Sequence, residues 1–362
     1  MTSRPEPVNA GLADLVSRQA IAQTLAVHSR GVDRADASLL GSAYHADATV
    51  DYGFFAGPAS GMVAILATAQ KGQPVTLHRT CNLWIAVNGE EARSESYVIA
   101  YMEQATEQGP VQRLVGGRYL DRHARQGGEW RIAHRLYVMD WNLSRPSTAA
   151  WADPSVALTN YVPRGGQGAA DPGRALLALG AARFKREGDS RMTTKISERD
   201  IDVALSKQAL HDLGMAYARG VDRTDPELLA SIFHEDSTVI SGVINGSGPE
   251  FARGITELVR ANLVRSFHSV ANEWYEVDGD RAVGESYGIA TITAGGNDVI
   301  SGGRYLDTYE RRSGVWKFLS RTWVCDWTMT LPTTHQTDGM FEALKTRGCY
   351  GKDDPVYRFW KA

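Results

Sequence analysis

The chain has 362 residues, with 39 Lys and Arg against 42 Asp and Glu and a formal net charge of −3. This length is too great for one ordinary core and suits two domains of about 150 residues each. The balanced charge, without a basic block, excludes the electrostatic footprint that nucleic acid or an anionic membrane requires. We therefore expect a small-molecule or protein partner, and neither nucleic acid nor membrane.

The cysteines and the apolar stretches indicate where the protein resides. Cys81, Cys325 and Cys349 are odd in number and lack metal-ligand spacing, which favours free thiols in a reducing compartment. The residues from Met1 to Gly11 contain no apolar signal core, and no later stretch approaches the roughly 18 apolar residues of a membrane span. The sequence predicts a soluble, cytoplasmic protein.

The chain contains an internal repeat, which indicates two copies of one fold. Four blocks occur twice, 186 to 190 positions apart: Gly31–Arg34 and Gly220–Arg223, Glu95–Tyr97 and Glu285–Tyr287, Gly116–Asp121 and Gly302–Asp307, and Asp140-Trp141 and Asp326-Trp327. The blocks Ala170-Asp171-Pro172 and Asp353-Asp354-Pro355 end the two copies similarly. We therefore assign residues 12–185 to a first domain with a C-terminal extension, 186–197 to a polar linker and 198–362 to a second domain.

Each copy begins with a helical pattern. Apolar stripes at helical spacing precede Gly31 and Gly220, and glycine is the residue that most readily ends a helix in the left-handed conformation. We expect each helix to end there, with the following Asp33 or Asp222 on a turn. Asp36 and Asp225 are predicted N-caps of a short second helix, the latter with Pro226 at the first helical position.

The sequence then changes to strands. Short segments rich in β-branched and aromatic residues alternate with turns, and Asn88-Gly89 and Asp278-Gly279 are hairpin dipeptides at matching places. Helices followed by antiparallel strands predict an α+β fold. We expect two tandem cone-shaped α+β barrels, in which helices pack in a curved, mainly antiparallel sheet and the apolar interior forms a pocket.

Two Asp and His pairs are the candidates for acid-base catalysis: Asp33 with His78, and Asp222 with His268. An imidazole suits proton abstraction near neutral pH. A carboxylate that is hydrogen-bonded to one ring nitrogen fixes the tautomer of the ring and raises the basicity of the other nitrogen. Both residue types are more often structural, and structural residues would repeat as well, so a structural role stays open.

Further polar residues occupy matching positions. Tyr217 is a candidate proton donor or oxyanion partner, or alternatively an aromatic residue of the core. His28 occupies the equivalent position in the first copy. Arg135 and Arg321 could bind a substrate oxygen, or alternatively pair with Asp140 and Asp326.

Four aromatic residues on predicted strands are candidate substrate-binding residues: Tyr52, Trp84, Tyr97 and Tyr287. Each could equally belong to the core. His45 and His234, just past the second helix of each copy, are predicted to be structural.

Motifs for other chemistries are missing from the sequence. The paired glycines lack the strand-turn-helix context of a phosphate or dinucleotide loop, and there is neither a His pair at helical spacing, a CxxC, nor a nucleophile elbow. The expectation is acid-base chemistry without a cofactor or metal.

The segment from Ile21 to Asp47, together with His78-Arg79-Thr80-Cys81-Asn82 and Gly117–Arg122, resembles the SnoaL-like branch of the nuclear transport factor 2-like superfamily. The resemblance covers both copies and implies one cone-shaped barrel in each. Similar enzymes in outline are scytalone dehydratase, bile-acid 7α-dehydratase and hexachlorocyclohexane dehydrochlorinase, which are cofactor-independent lyases with an Asp-His dyad. By this resemblance Asp222, His268, Tyr217 and Arg321 form a catalytic set, matched by Asp33, His78 and Arg135, whereas His28 departs from the tyrosine.

The leading hypothesis is therefore a lyase acting on a hydroxylated aromatic or polycyclic molecule. The reaction is either a dehydration or a retro-aldol-like cleavage, such as formaldehyde release from a lignin-derived diarylpropane. An isomerase and a non-catalytic binding or assembly module are the alternatives, because the superfamily is functionally broad. We expect a homo-oligomer in which the two domains of a chain form a pseudo-dimer, and the second domain, with its tyrosine, is the favoured site.

Overall fold

The computed structural model describes residues 7–74, 76–148, 166–171 and 197–361. The first domain contains the helices α1 (Pro7–Asp33), α2 (Ala37–Ser42) and α3 (Ala59–Gln70) and the strands β1 (Tyr44–Asp51), β2 (Ala56–Pro58), β3 (Leu77–Asn88), β4 (Glu91–Gln104), β5 (Val111–Gln126) and β6 (Glu129–Pro146). The predicted linker, apart from Ser197, and most of the predicted extension of the first domain lie outside the described residues.

The second domain repeats this order. It contains α4 (Glu198–Asp222), α5 (Pro226–Ser231) and α6 (Gly248–Asn262), followed at the C-terminus by α7 (Pro355–Lys361). Its strands are β7 (Phe233–Ile240), β8 (Asn245–Gly246), β9 (Arg265–Asp278), β10 (Arg281–Ala294), β11 (Asn297–Arg312) and β12 (Val315–Pro332). None of the described helices is long and apolar enough to cross a membrane.

Each domain has one six-stranded sheet, in the order β2-β1-β6-β5-β4-β3 or β8-β7-β12-β11-β10-β9. The pairs β1–β6 and β7–β12 are parallel and the other pairs are antiparallel. The sheet of each domain curves around its long helix, and the apolar side chains of helix and sheet form the main core of each domain. The predicted α+β fold of two tandem cones is confirmed.

The glycines near the end of α1 and α4 have a different role from the predicted one. Both helices continue past them to Asp33 and Asp222. A Cβ on Gly31 would lie 2.6 Å from the backbone of Leu40, and one on Gly220 would lie 2.5 Å from the side chain of Leu229. The predicted helix ends at these glycines are therefore wrong: glycine is needed there because the short second helix packs directly against it.

The predicted N-caps are confirmed. The backbone N–H of Leu39 donates to Oδ1 of Asp36 over 2.9 Å, and that of Leu228 donates to Oδ1 of Asp225 over 3.1 Å. The left-handed residues of these connections are Ala35 and Thr224, with φ of 49° and 51°. Each connection turns the chain sharply after the helix, which leaves Asp33 or Asp222 inside the cone.

The C-terminal segment of the second domain packs on the first domain. Beyond β12, Phe341 and Leu344 join the core of the first domain, and Arg347 forms a parallel bridge with Met139 of β6. Val356 of α7 packs against Leu120 and Val138. The first cone is thus completed by residues from the opposite end of the sequence.

Candidate functional site

Asp33 and His78 form a hydrogen-bonded pair inside the first cone. Nδ1 of His78 lies 2.7 Å from Oδ1 of Asp33, and the backbone N–H of His78 donates to Oδ2 over 2.9 Å. Thr76 adds a third bond to the same carboxylate, from its Oγ1 over 2.8 Å. Because a carboxylate only accepts, Nδ1 carries the proton and Nε2 is the unprotonated nitrogen of the neutral ring. Among the described residues none bonds to this Nε2.

His78 lines a cavity of about 640 Å³ in the first cone. A volume of this size suits a small organic ligand. The wall is mainly apolar and aromatic, and includes Tyr52, Leu66, Val98, Val115, Tyr119 and Tyr137. The tyrosine rings contact one another, with Tyr52 stacked on Tyr137 at 5.6 Å between ring centroids. The cavity therefore combines a candidate base with an apolar wall and a small set of phenol groups.

The C-terminal segment of the chain completes this cavity. Met340, Phe341 and Leu344 lie in the same wall as Tyr52 and Tyr137. Phe341 is fully buried, whereas 46% of Met340 is exposed. The first site is therefore built from both domains.

Arg135 lies behind the cavity wall and does not line it. Its Nε and Nη2 donate to the two carboxylate oxygens of Asp121, each over 2.7 Å, and its guanidinium lies 3.8 Å from the centre of the Tyr119 ring. The predicted alternative, a pair with Asp140, is wrong: Asp121 points to the same inner face of the sheet as Arg135. Tyr119 lines the cavity and lies against the guanidinium of Arg135.

His28 is buried next to Arg135. Nη1 of Arg135 donates to its Nε2 over 2.9 Å, and its ring contacts Tyr44 and Tyr119 edge-on. Burial, followed by the charge of Arg135, holds the pKa of His28 well below its usual range. His28 is therefore neutral and acts as an acceptor for Arg135.

The second domain contains the equivalent pair. Nδ1 of His268 lies 2.6 Å from Oδ1 of Asp222, and the His268 N–H and Ser266 Oγ each donate to this carboxylate over 2.8 Å. Burial alone would raise the pKa of Asp222, but the His268 imidazole and the Arg223 charge lower it below its usual range. The carboxylate of Asp222 is thus the ionised partner of the pair.

Aromatic rings pack against one another in the interior of the second cone. Tyr217 stacks on Phe251 at 5.9 Å and contacts Tyr305 edge-on at 5.4 Å. Burial, partly offset by Arg321, raises the pKa of Tyr217 to about 12. Arg321 pairs with Asp307, not with Asp326, and lies 4.2 Å from the centre of the Tyr217 ring. Tyr217 and Arg321 therefore pack together in the core of the cone.

Three of the four predicted substrate-binding aromatics lie away from the first cavity. Tyr97 is 4.8 Å from the ring of Phe267 at the contact between the domains, and Trp84 lies under Arg219 of the second domain at 3.8 Å. Tyr287 is 47% exposed. Strand alternation places these side chains on the outer side of each sheet, whereas Tyr52 lines the cavity.

Sequence reasoning missed Tyr119, Tyr137 and the C-terminal residues of the cavity wall. Tyr119 lies in the repeated Gly116–Asp121 block, where alternation along β5 places it beside the inward-facing Asp121 and could have indicated it. Phe341 lies 263 positions from His78, and no local pattern links the two. His45 and His234 lie on β1 and β7, where each Nε2 bonds a backbone carbonyl, of Ala124 and Glu310 respectively.

Comparison with known proteins identifies the family. A γ-hexachlorocyclohexane dehydrochlorinase of Sphingobium indicum is 29% identical over 130 residues, which is 34% of this chain and 81% of that protein. The crystal structure of a type 2 hexachlorocyclohexane dehydrochlorinase has 26% identity and a TM-score of 0.35, over 37% of this chain and 95% of that one. A putative scytalone dehydratase structure from Novosphingobium aromaticivorans has 23% identity and a TM-score of 0.33, over 36% and 91% of the two chains.

The sequence profile described as the SnoaL-like domain matches residues 13–136 and again residues 202–322. The two matched segments include the Asp and His of each pair, and together they make up about two thirds of the chain. The protein therefore belongs to the SnoaL-like domain family of the nuclear transport factor 2-like superfamily and contains the domain in two tandem copies.

Proposed function

We propose that the first cone is the active site of a cofactor-independent lyase, in which Asp33 orients His78 as the general base. The observation that carries this proposal is the position of His78: its Nδ1 is held by Asp33, and its ring lies in the wall of an apolar cavity of about 640 Å³. A neutral imidazole oriented in this way suits proton removal near neutral pH. The substrate class is a largely apolar aromatic or polycyclic molecule with a hydroxyl or another electronegative leaving group.

The proposed step is a β-elimination. Nε2 of His78 takes a proton from carbon, the electrons of the broken C–H bond form a C=C bond, and the leaving group departs with its bonding pair. The phenol groups of Tyr52, Tyr119 and Tyr137 are among the polar groups of the cavity wall and would donate hydrogen bonds to that leaving group. Asp33 stabilises the imidazolium that forms.

The name of the Sphingobium indicum relative, a dehydrochlorinase, supports an elimination. Dehydrochlorination removes the elements of hydrogen chloride from a cyclic, apolar molecule, and dehydration is the analogous reaction of an alcohol. The same base could instead take the proton of a hydroxymethyl group of a diarylpropane. The O–H electrons then form the C=O bond of formaldehyde, the electrons of the broken carbon–carbon bond form a C=C bond, and the neighbouring leaving group departs with its bonding pair. The comparisons support a lyase of the family and leave this second reaction as the alternative.

The cavity favours the first domain as the active site, whereas the sequence, through Tyr217, favours the second domain. His268 and His78 have the same partner atoms, so the two sites differ chiefly in what fills the cone. Aromatic rings pack around Tyr217, whereas the first cone is open beside His78. This contrast supports turnover in the first domain and makes the second domain a control within the chain.

The test is a product-mass assay with phenolic and steroid-like alcohols, a diarylpropane and γ-hexachlorocyclohexane. Loss of the mass of water, hydrogen chloride or formaldehyde identifies the lyase reaction, and an unchanged mass with a shifted retention time identifies an isomerase. His78→Gln should lower kcat by about 10²- to 10⁴-fold, while His268→Gln leaves it within a few-fold of the unmodified chain.

Besides the isomerase result, two outcomes would overturn the proposal. Loss of activity in His268→Gln, with His78→Gln unaffected, would assign the reaction to the second domain. Saturable binding of a panel compound without any product would identify a binding module instead. Circular dichroism spectra of both variants show whether the fold is retained.

A further inference from the structure

The outer side of the first sheet is buried under the second domain. We define sheet face 1 as Glu95, Tyr97, Arg118, Leu120 and Asp140, which lie side by side on β4, β5 and β6. Glu95 and Tyr97 are each 2% exposed, and Arg118 and Leu120 are fully buried. This set mixes charged and apolar side chains, so its burial depends on a partner that matches both.

The second domain supplies that match through the end of α4 and the start of β9. We define helix face 2 as Arg219, Arg223 and Phe267. Nε of Arg219 donates to Glu95 over 2.6 Å, and Nη1 of Arg223 donates to Asp140 over 3.0 Å. The Phe267 ring lies 4.8 Å from that of Tyr97. Two charge pairs and an aromatic contact therefore hold the domains together.

The second domain carries the same residues on its own sheet, where they are not buried. Sheet face 2 consists of Glu285, Tyr287, Arg304, Leu306 and Asp326, identical in type to sheet face 1. Tyr287 is 47% and Leu306 39% exposed, and the side chains of Arg304 and Asp326 are 32% and 42% exposed. A face that is covered in the first domain is open in the second.

The first domain in turn has a partly exposed counterpart of helix face 2, in which the side chains of Arg30 and Arg34 are 29% and 20% exposed. Helix face 1 consists of Arg30, Arg34 and Leu77, which correspond by the repeat to Arg219, Arg223 and Phe267. Leu77 is 56% exposed, whereas Phe267 is 1% exposed. The contact between the domains is therefore heterologous: it joins unlike faces and leaves sheet face 2 open and helix face 1 partly exposed.

An aspartate accompanies the arginines of both helix faces. Nη2 of Arg30 donates to Asp171 over 2.5 Å, and Nη1 of Arg223 donates to Asp354 over 3.2 Å. These aspartates come from the matching Asp-Pro blocks near the end of each copy. In the contact within the chain, Asp354 also accepts from Arg118 over 2.7 Å. Asp171 therefore lies beside helix face 1 as Asp354 lies beside helix face 2 in the buried contact between the domains.

We propose that sheet face 2 binds helix face 1 of a second copy of this chain. The contact inside the chain is the template. It places an arginine against Glu285, a second arginine against Asp326 and an apolar side chain against Tyr287, which Arg30, Arg34 and Leu77 of the second copy supply. The acidic residues of sheet face 2 and the arginines of helix face 1 are complementary in charge.

A second copy fits this surface because both open faces are on the same chain. A partner that carried only one of the two faces would leave the other exposed, whereas a second copy covers both when the ring closes. Heterologous contacts form rings where the rotation closes and longer assemblies where it does not. The assembly therefore has at least twice the 39.6 kDa mass of one chain.

The test measures the mass of the full chain by light scattering coupled to size-exclusion chromatography. Tyr287→Glu and Leu77→Glu, one on each open face, should each give single chains of 39.6 kDa. Val315→Glu is the matched control, because Val315 is 55% exposed and its counterpart in the first domain is already Glu129. This control should keep the assembled mass, and thermal melting shows that each variant is folded.

Charge reversal tests the pairing itself. Glu285→Arg should separate the chains, and adding Arg30→Glu to the same chain should restore the assembled mass. An unmodified chain that elutes as a monomer at tens of micromolar overturns the proposal. So does an assembly that both Tyr287→Glu and Leu77→Glu leave intact, because its contact must then involve other faces.

Discussion

Nη1 of Arg135 donates a hydrogen bond to Nε2 of His28 over 2.9 Å, and both side chains are buried. The bond fixes the proton of the neutral ring on Nδ1. It also explains how histidine replaces the tyrosine of the second domain: Arg321 lies against the face of Tyr217, whereas Arg135 bonds to a ring nitrogen. Related arginines are therefore satisfied in two different ways.

His28→Leu should destabilise the protein by about 1–3 kcal/mol, because it leaves a buried guanidinium N–H of Arg135 without an acceptor. His28→Gln keeps an acceptor oxygen on a side chain of similar reach and should cost less. Urea unfolding measures both variants. Equal losses for leucine and glutamine would show that ring packing, not the hydrogen bond, determines the role of His28.

Asp33→Asn should lower kcat by about 10²- to 10⁴-fold with little change in the fold. Asparagine keeps the shape but removes the negative charge, and its amide can donate to Nδ1 of His78, which favours the wrong tautomer. Asp222→Asn is the matched variant in the second domain and should leave turnover unchanged. If Asp33→Asn keeps its activity, the Asp33 carboxylate has a structural role only.

Phe341→Ala should destabilise the protein by about 3–5 kcal/mol, because Phe341 is a fully buried residue in the core of the first domain. Met340→Ala removes a neighbour that is 46% exposed and should change stability by less than about 0.5 kcal/mol. Because Met340 lines the cavity, we expect its removal to raise KM for the substrate of the first site. Chemical unfolding and steady-state kinetics separate the two effects. An unchanged KM in Met340→Ala would show that Met340 of the C-terminal segment does not contribute to substrate binding.

The repeated Arg118 and Arg304 provide a comparison of one motif in two environments. Arg118 is fully buried and bonds Asp140 and Asp354 at 2.7–2.9 Å, whereas the Arg304 side chain is 32% exposed and bonds Asp326. Arg118→Met should cost about 3–5 kcal/mol, because it leaves buried carboxylates with fewer partners. Arg304→Met should cost no more than about 1 kcal/mol. Both are measured in the Tyr287→Glu chain, so that sheet face 2 stays uncovered, and equal losses would contradict the argument from burial.

His211 connects the domains and should make their stability depend on alkaline pH. It contacts Glu273 through Nδ1 and the Leu83 carbonyl through Nε2. Burial alone would lower the pKa of His211, but the Glu273 carboxylate raises it to about 9. A folded-state pKa above the unfolded value of about 6.5 gives a stabilisation that is complete below that pH and is lost as the pH rises to about 9.

The loss amounts to at most about 3 kcal/mol. His211→Gln keeps a polar side chain that can still form hydrogen bonds but does not titrate. This variant should be less stable than the unmodified chain at neutral pH and should lack the loss between neutral pH and pH 9. Urea unfolding across this range measures both slopes, and parallel curves would show that His211 does not titrate there.

Local patterns and the repeat were sufficient to predict much of the fold. Asp36 and Asp225 mark helix starts because N-capping is a contact within one turn of the chain. The hairpin dipeptides and the alternating strands likewise depend on neighbours in sequence. The pairing of Asp33 with His78 was predicted from residue type and family resemblance, and the structure places the two in hydrogen-bond contact. Their catalytic role stays a prediction.

The sequence by itself thus determined two copies of an α+β cone and the residues that each copy shares. Only the tertiary structure decided which copies of those residues are buried, because burial depends on what packs against a face. Glu95 and Glu285 lie in the same motif, yet one is covered by Arg219 and the other is open. The cavity beside His78 is lined by Phe341, 263 positions away, and such a contact leaves no periodic signal in the chain.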